Sequence, residues 1–458
     1  MSGEKEASPG GEGKPMRILF VILLLDLLAF TSILPLFPAI LDHYEQTSKE
    51  DAIYASLDYW LVSFRRLIGA PEGKGFNSVF FGGLLGSLFS FLQFLSSPIA
   101  GALSDVFGRK PVLLLSVAGS LLAYVLWAWA GSFSGFLLSR VVGGMAKVSL
   151  SIATVIVADI YSPERRSRGM AGVGIAFSLG FLIGPSIGAA FAKSARSSAS
   201  DSPFALPAYF SIALTLLELL LIATALPETL PQASRKTSLG EVLNSAFDYI
   251  NPRSLFAFST LGDGRAIPER KLLSGLGLVY FCYLFFYSGL EFTLTFFTRQ
   301  AFGYEPAQQG RLYFFAGIIM ILVQGGYVRR MKGEAGKERR AVLLGLAILI
   351  PGFLLIASAT ESQSLFYTGL SCYSLASGLV VPCLTTLASG AGSAGEKGVI
   401  LGTFRSLGAL ARALGPVAAA TIFWLLGPKY CYGLGGLALL IPLLLFSRLQ
   451  LQLKEKAN

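Results

Sequence analysis

The chain has 458 residues, 53% hydrophobic and only 14% charged, with a net charge of +10 and a mean hydropathy of +0.63. A soluble domain carries about 25% charged residues, so this balance excludes a water-soluble fold. The apolar runs are continuous rather than alternating, which excludes a membrane β-barrel and leaves helices, whose backbone groups are satisfied within one segment.

Residues 1–15, MSGEKEASPGGEGKP, are rich in Gly, Pro, Ser and Glu and predict a disordered tail. The run at 17–41 is too long for a cleavable leader and has no small-residue cleavage site, so it reads as a retained span. Eleven further spans follow at 76–100, 112–130, 134–158, 169–192, 205–226, 273–298, 309–328, 341–358, 364–389, 399–425 and 430–447, numbered 2 to 12. They divide the chain into a six-span bundle (16–226), a polar basic linker (227–272), a second six-span bundle (273–449) and a tail (450–458). Between spans 1 and 2, DAIYASLDYWLVSFRRLIGAP predicts an amphipathic helix on the membrane surface.

Of the 37 Lys and Arg, roughly 24 fall on the side of the termini, about 8 on the other side and about 5 within spans. That bias places both termini in the cytoplasm, with either the plasma membrane or an organelle membrane as host. The basic charge is thereby an orientation signal, and no nucleic-acid partner is expected. Cys282, Cys372, Cys383 and Cys431 lie in or beside apolar runs and read as buried thiols, and their spacing suits no metal. No metal and no cofactor is expected.

GALSDVFGRKPVLL (101–114) is the short turn between spans 2 and 3. Gly101 would let span 2 approach a neighbour closely, Gly108 permits a tight turn, and Asp105 is positioned to meet the N-terminus of span 11 near Val399. A contact of that kind, about 0.3–2 kcal/mol, biases two conformations without locking either. Arg109 is placed to bond Asp159 at the end of span 4, the alternative being that Arg109 and Lys110 only anchor topology.

The pattern Gly-x-Leu-x-Asp-x-x-Gly-Arg-Lys in this turn resembles the signature loop of the major facilitator superfamily. LDLLAFTSILPLFP (25–38) resembles the first helix of its drug/proton antiporters, RVVGGMAK (140–147) its fourth-helix arginine motif, and GFLIGPSIG (180–188) its fifth-helix antiporter motif. The resemblance covers residues 16–450 and implies an all-α polytopic membrane protein, twelve transmembrane helices in two pseudo-symmetric six-helix bundles, surrounded by membrane lipids and acting as a monomer. An internal repeat agrees: residues 172–190 and 402–420 align at Gly184-Pro185 and Gly415-Pro416. QGGYVRRMKG (324–333) stands where the signature loop would recur but lacks its Asp, which predicts an asymmetric gate.

Ionisable residues inside spans need a cavity, a partner or a proton, since an unpaired charge there costs at least about 2.5–3.5 kcal/mol. Asp26 in span 1 and Arg140 in span 4 are expected to pair, Asp26 accepting a proton and Arg140 holding it ionised until then; the alternative is a static pair. Lys147 follows Arg140 by one heptad on nearly the same face, and Arg405 and Arg412 repeat that spacing in span 11. These four cations suggest a cavity for carboxylates or sulfonates, although Arg405 also fits a snorkelling role near the membrane edge. Glu291, amid the aromatics of span 7, is a second candidate proton carrier. Glu218 falls in span 6, peripheral in the fold that the resemblance implies, and reads as structural or facing lipid headgroups. Gly180, Gly184 and Gly188 make small-xxx-small steps beside Pro185, which suits close packing by a helix that rocks or, alternatively, a static contact.

GPSIG (184–188) matches a nucleophile-elbow string, but Ser186 lies in an apolar helix and the chain's one histidine, His43, is predicted at the membrane surface. GAGSAG (390–395) follows a span rather than a strand, and no phosphate-binding Gly-x4-Gly-Lys-Ser/Thr string occurs, so neither an enzyme nor an ATP-driven pump is expected. The expectation is a proton-coupled antiporter exporting amphipathic organic anions and drug-like molecules. Its rivals are a uniporter of a lipid-like or other small solute and a non-transporting scaffold.

Overall fold

The computed structural model describes residues 13–449 except 49, 69–76, 162–165, 197–203, 233–234, 236–237, 260–266, 332–334 and 392–396. The expected C-terminal tail and residues 1–12 lie outside the described residues, but a helix already begins at Gly13, inside the stretch expected to be disordered. Among the described residues, twelve helices are long and apolar enough to cross a membrane. Spans 1 to 6 are Gly13–Thr47, Asn77–Phe107, Arg109–Ala128, Phe133–Ile160, Gly172–Phe191 and Ala205–Thr224; spans 7 to 12 are Glu269–Phe302, Pro306–Tyr327, Ala335–Ser358, Gln363–Gly390, Val399–Leu426 and Pro428–Arg448. Spans 1 and 12 place their outer ends on one face, here the terminal face; the other is the distal face.

Spans 1 and 4 are interrupted near their middles. Span 1 stops at Thr31, passes through a 3-10 turn at Leu34–Leu36 and resumes at Phe37–Thr47, because Pro35 and Pro38 remove backbone donors and crowd the preceding turn. Span 4 breaks without a proline, between Ala146 and Ser149. Its freed carbonyls are taken up by other spans: Ser116 Oγ donates to the Ala146 carbonyl at 2.7 Å and Gln93 Nε2 to that of Lys147 at 2.8 Å. Irregular backbone at membrane depth persists only where protein satisfies it, as here.

With lipid as apolar as leucine, helices associate through close van der Waals packing rather than solvent exclusion. Span 5 therefore lays its small residues on span 1: a Cβ at Gly180 would strike Leu27 at 2.5 Å, and those at Gly184 and Gly188 would overlap Thr31 and the Ser32 carbonyl. Thr31 Oγ1 donates to the Gly180 carbonyl at 2.8 Å across that seam. The second half repeats the arrangement, with Gly415 of span 11 against Phe285, Ser288 and Gly289 of span 7.

The two bundles meet along spans 2 and 11 and spans 5 and 8. Near the distal face, a Cβ at Gly83 would lie 2.9 Å from the Pro416 carbonyl, Ser87 Oγ accepts from Val417 N at 2.9 Å, and Trp424 Nε1 donates to Asn77 at 3.3 Å. Arg299 of span 7 bonds Asp42 of span 1 at 2.6 Å on the same side. The distal side is thus closed.

Outside the spans, residues 52–68 form the expected helix, Ala52–Ile68, with Tyr59 and Trp60 exposed. The stretch read only as a polar linker contains two helices, Leu239–Asp248 and Pro252–Ala257. Cys383 and Cys431 are buried; Cys282 and Cys372, expected to be buried too, are only partly buried.

Candidate functional site

At the break in span 4 the chain gathers its buried charges. Asp26 is 3% exposed, Arg140 5% and Lys147 7%. Lys147 Nζ pairs with Asp26 Oδ1 and lies 3.1 Å from the Asp26 carbonyl, while Ser149 Oγ donates to Asp26 Oδ2 at 2.6 Å. Ser149 opens the second half of span 4, so the carboxylate lies beside the start of that helix, where the helix dipole favours an anion.

The expected Asp26–Arg140 pair is therefore not formed. Lys147 takes the place expected of Arg140, and the break brings Ser149 to the same carboxylate. Arg140 instead lies over three aromatic rings, 5.3 Å from the Phe136 centroid, 5.8 Å from Trp127 and 6.0 Å from Phe89. Among the described residues, no carboxylate lies within ion-pair distance of it. Arg140 and Lys147 still share one narrow cavity with Phe30, Phe89, Ser120 and Tyr124, and Lys147 Nζ sits 4.9 Å above the Phe30 ring.

A second cluster occupies the other bundle. Tyr373 donates to Glu291 Oε1 at 2.7 Å, and the Tyr287 hydroxyl lies 3.3 Å from the same oxygen and 2.8 Å from Ser377. The Tyr287 and Tyr373 rings stack at 5.3 Å, so Glu291 sits at the edge of an aromatic wall. Arg412 is solvent-exposed in the middle of span 11 and within electrostatic reach of Glu291. Its position lies between the line that packs on span 7 (Gly408, Gly415) and the line that meets span 2 (Pro416, Ala420), which aims it between the bundles. Arg405 crosses from span 11 to donate to Thr154 of span 4, so in this conformation it bridges the bundles.

The turn between spans 2 and 3 gathers four segments. Arg109 bonds Asp105 at 2.5 Å, Ser104 at 2.7 Å and Asp159 at 2.9 Å. Gly108 has φ +103°, a left-handed conformation that favours glycine, and a Cβ there would meet Glu228 at 2.5 Å. Glu228, just past span 6, accepts from the backbone N–H of Arg109 at 3.0 Å and of Lys110 at 3.2 Å, capping span 3. Burial pushes the Glu228 carboxyl up, but the N–H donors of Leu230, Arg109 and Lys110 and the Arg235 charge outweigh it and hold the group below its usual range. Gly101, expected to touch a neighbouring helix, has no described atom within 4 Å of its Cβ position. The contacts between spans 2 and 11 described above lie nearer the distal face instead.

Several participants are not on the sequence-derived roster: Ser149, Glu228, and the Tyr287–Tyr373–Ser377 group. The serine stands beside Lys147 in the string KVSLS but announces nothing until the helix breaks there. Glu218, read as peripheral, is fully buried on the face of span 6 that meets spans 1 and 3. Ser186, from the hydrolase-like string, lies within a continuous helix with its hydroxyl 3.4 Å from the Gly310 carbonyl.

The sequence profile of the Major Facilitator Superfamily matches residues 19–416. Over 441 residues the chain is 43% identical to "Major facilitator superfamily domain-containing protein 10" of Homo sapiens, covering 96% of this chain and 93% of that one. It is 26% identical over 439 residues to "Tetracycline resistance protein, class D" of Salmonella ordonez, covering 92% and 95%. The crystal structure of the human organic anion transporter MFSD10 (TETRAN) superimposes with a TM-score of 0.78 at 43% identity, over 95% of this chain and 99% of that one.

Proposed function

The chain belongs to the Major Facilitator Superfamily and is a multi-pass membrane transporter, not an enzyme; from that premise we propose that it exports amphipathic organic anions, drug-like molecules among them, in exchange for protons. The observation that carries this reading is the buried Lys147–Asp26 pair at the break of span 4, whose lysine lines a narrow cavity together with Arg140. The pair ties span 1 to span 4, and two events release it. An anionic group entering the cavity competes with Asp26 for Lys147, and a proton on Asp26 removes the charge that holds the ammonium. Stranding one member of such a pair costs about 3–5 kcal/mol, comparable with the roughly 5.5 kcal/mol that swings a two-state equilibrium from one side to the other. If either event alone frees the carrier, while the empty unprotonated carrier stays tied, cargo and proton must alternate, which is antiport.

The cargo class has two supports. Arg140, Arg412 and Lys147 bring cations into the interior, and the human relative of known structure is described as an organic anion transporter. Arg405, bound to Thr154 here, becomes available to cargo only when that bridge opens. Glu291, beside Arg412, is the second proton carrier. The bias of Lys and Arg toward the terminal face supports cytoplasmic termini, in a plasma or organelle membrane. The site is complete within one chain, which supports a monomer among lipids.

The test is accumulation of anionic dyes and drugs in proteoliposomes under an imposed pH gradient. Uphill accumulation that disappears in Asp26→Asn is expected. Accumulation surviving that substitution overturns the role of Asp26; flux indifferent to pH makes the protein a uniporter, and no flux across a broad panel makes it a scaffold.

A further inference from the structure

Span 6 turns a polar stripe inward: Ser211, Thr215 and Glu218 are all buried. Ser211 accounts for itself, since its hydroxyl lies 3.0 Å from the Ala29 carbonyl and 3.1 Å from Ser32 Oγ, both on span 1. Thr215 donates to the Ser211 carbonyl at 2.8 Å. Glu218, two turns from Ser211 toward the terminal face, is 0% exposed, and among the described residues neither of its carboxyl oxygens has a hydrogen-bond partner. A buried polar group kept for structure is nearly always bonded, and an ionised carboxylate without partners in a dry interior is prohibitively costly. In this conformation Glu218 therefore carries a proton.

Its surroundings say what the proton is for. The charged groups within electrostatic reach of Glu218 are Asp26 of span 1 and Lys147 of span 4, and Tyr124 of span 3 is the titratable side chain lying among all three. Span 5, which also packs on span 6, has no titratable residue between Gly169 and Ala192. Two acids thus share one ammonium. Building on the proton-coupled reading above, we propose that Glu218 is a further proton seat of the carrier, beside Asp26, which exchanges its proton for Lys147.

In the conformation described, Lys147 sits on Asp26 and the proton on Glu218. In the exchanged state the Glu218 O–H bond breaks, an O–H bond forms on Asp26, and the Lys147 ammonium crosses to the new carboxylate. One proton and one ammonium change places, so the buried net charge is the same before and after. The exchange lets Asp26 deliver a proton to the cavity without leaving Lys147 unpaired, and lets Glu218 keep one while Asp26 is paired.

Two measurements test this. Infrared difference spectra of the purified protein should show the carbonyl stretch of a neutral carboxylic acid in a dry environment, absent from Glu218→Gln. Cargo exchange with equal pH on both sides, measured across the pH range, should change the shape of its pH profile in Glu218→Gln and regain the wild-type shape in Glu218→Asp. A merely structural Glu218 would instead lower the rate equally at every pH. Absence of the carbonyl band from the wild-type protein, or a variant profile that keeps the wild-type shape, overturns the proposal. These outcomes separate from failure of the antiport reading: a wild-type protein that does not couple cargo to protons would still show the band, whereas uphill accumulation with an unaltered Glu218→Gln profile would leave antiport standing and remove Glu218 from it.

Discussion

Lys147 and Asp26 are both more than nine-tenths buried, so their energetics are those of charge in a poorly screened interior. Removing one partner strands the other at a cost of about 3–5 kcal/mol, whereas replacing both with apolar side chains of similar shape is often close to neutral. Lys147→Met should therefore lower the melting temperature of the purified protein most and Asp26→Asn less, since Glu218 can take up Lys147, and Asp26→Leu with Lys147→Met should recover much of the loss while remaining inactive in proton-driven transport. A double variant as unstable as the worse single one would show that the pair does not set this stability. Asp26, Arg140, Lys147 and Glu291 are legible in the sequence because each interrupts an apolar run where charge is expensive. Their pairing is not, because it depends on a break in span 4 held by Ser116 and Gln93, residues remote in sequence. Glu218 stands out by the same rule of cost, but the position of span 6 in the family fold argues it to the periphery, and only its burial corrects that.

Spans 1 and 5 are in contact at backbone distance, and the seam has little slack. Gly188→Val should destabilise by about 1–3 kcal/mol or more, because its side chain must displace the Ser32 carbonyl. Gly174→Val on the same helix, where no described atom lies within 4 Å, is the control and should stay within about 0.5 kcal/mol; equal melting temperatures for the two variants would refute the seam. Glu228 joins the end of span 6 to the start of span 3, and its bonds make a prediction about acid. Its folded-state affinity for protons is below the ordinary one, so its stabilisation is fully present above the usual carboxyl range and fades as pH falls through the folded-state value. Glu228→Gln should accordingly cost about 1 kcal/mol at neutral pH, with the deficit shrinking in acid, read as melting temperature against pH. The glycine ladder of span 5 is plain in the string GFLIGPSIG. The Glu228 cap is hidden by the long sequence interval between Glu228 and Arg109, which only the packing of six helices closes.

At the scale of the whole molecule, the number of spans, their division into halves and the internal repeat follow from hydropathy and two Gly-Pro pairs. Which of its conformations the carrier occupies does not, since the same residues must serve them all. The distal side is closed by spans 2, 7 and 11, whereas a Cβ at Gly101 near the terminal face would have no described atom within 4 Å. If span 2 closes on a neighbour in the other half of the cycle, Gly101→Leu should leave the melting temperature unchanged and suppress transport at least about ten-fold, the equivalent of 1.4 kcal/mol in the closing step; full activity in that variant would place the gate elsewhere. The aromatic cradle of Arg140 reaches further than the cavity it lines. A guanidinium held by ring faces keeps its full charge, and one elementary charge moved across a bilayer exchanges about 2.3 kcal/mol with each 100 mV. An unloaded carrier with that surplus cation is drawn toward the negative side of the membrane, and an anionic passenger cancels the pull, so voltage becomes a second throttle on turnover alongside acidity.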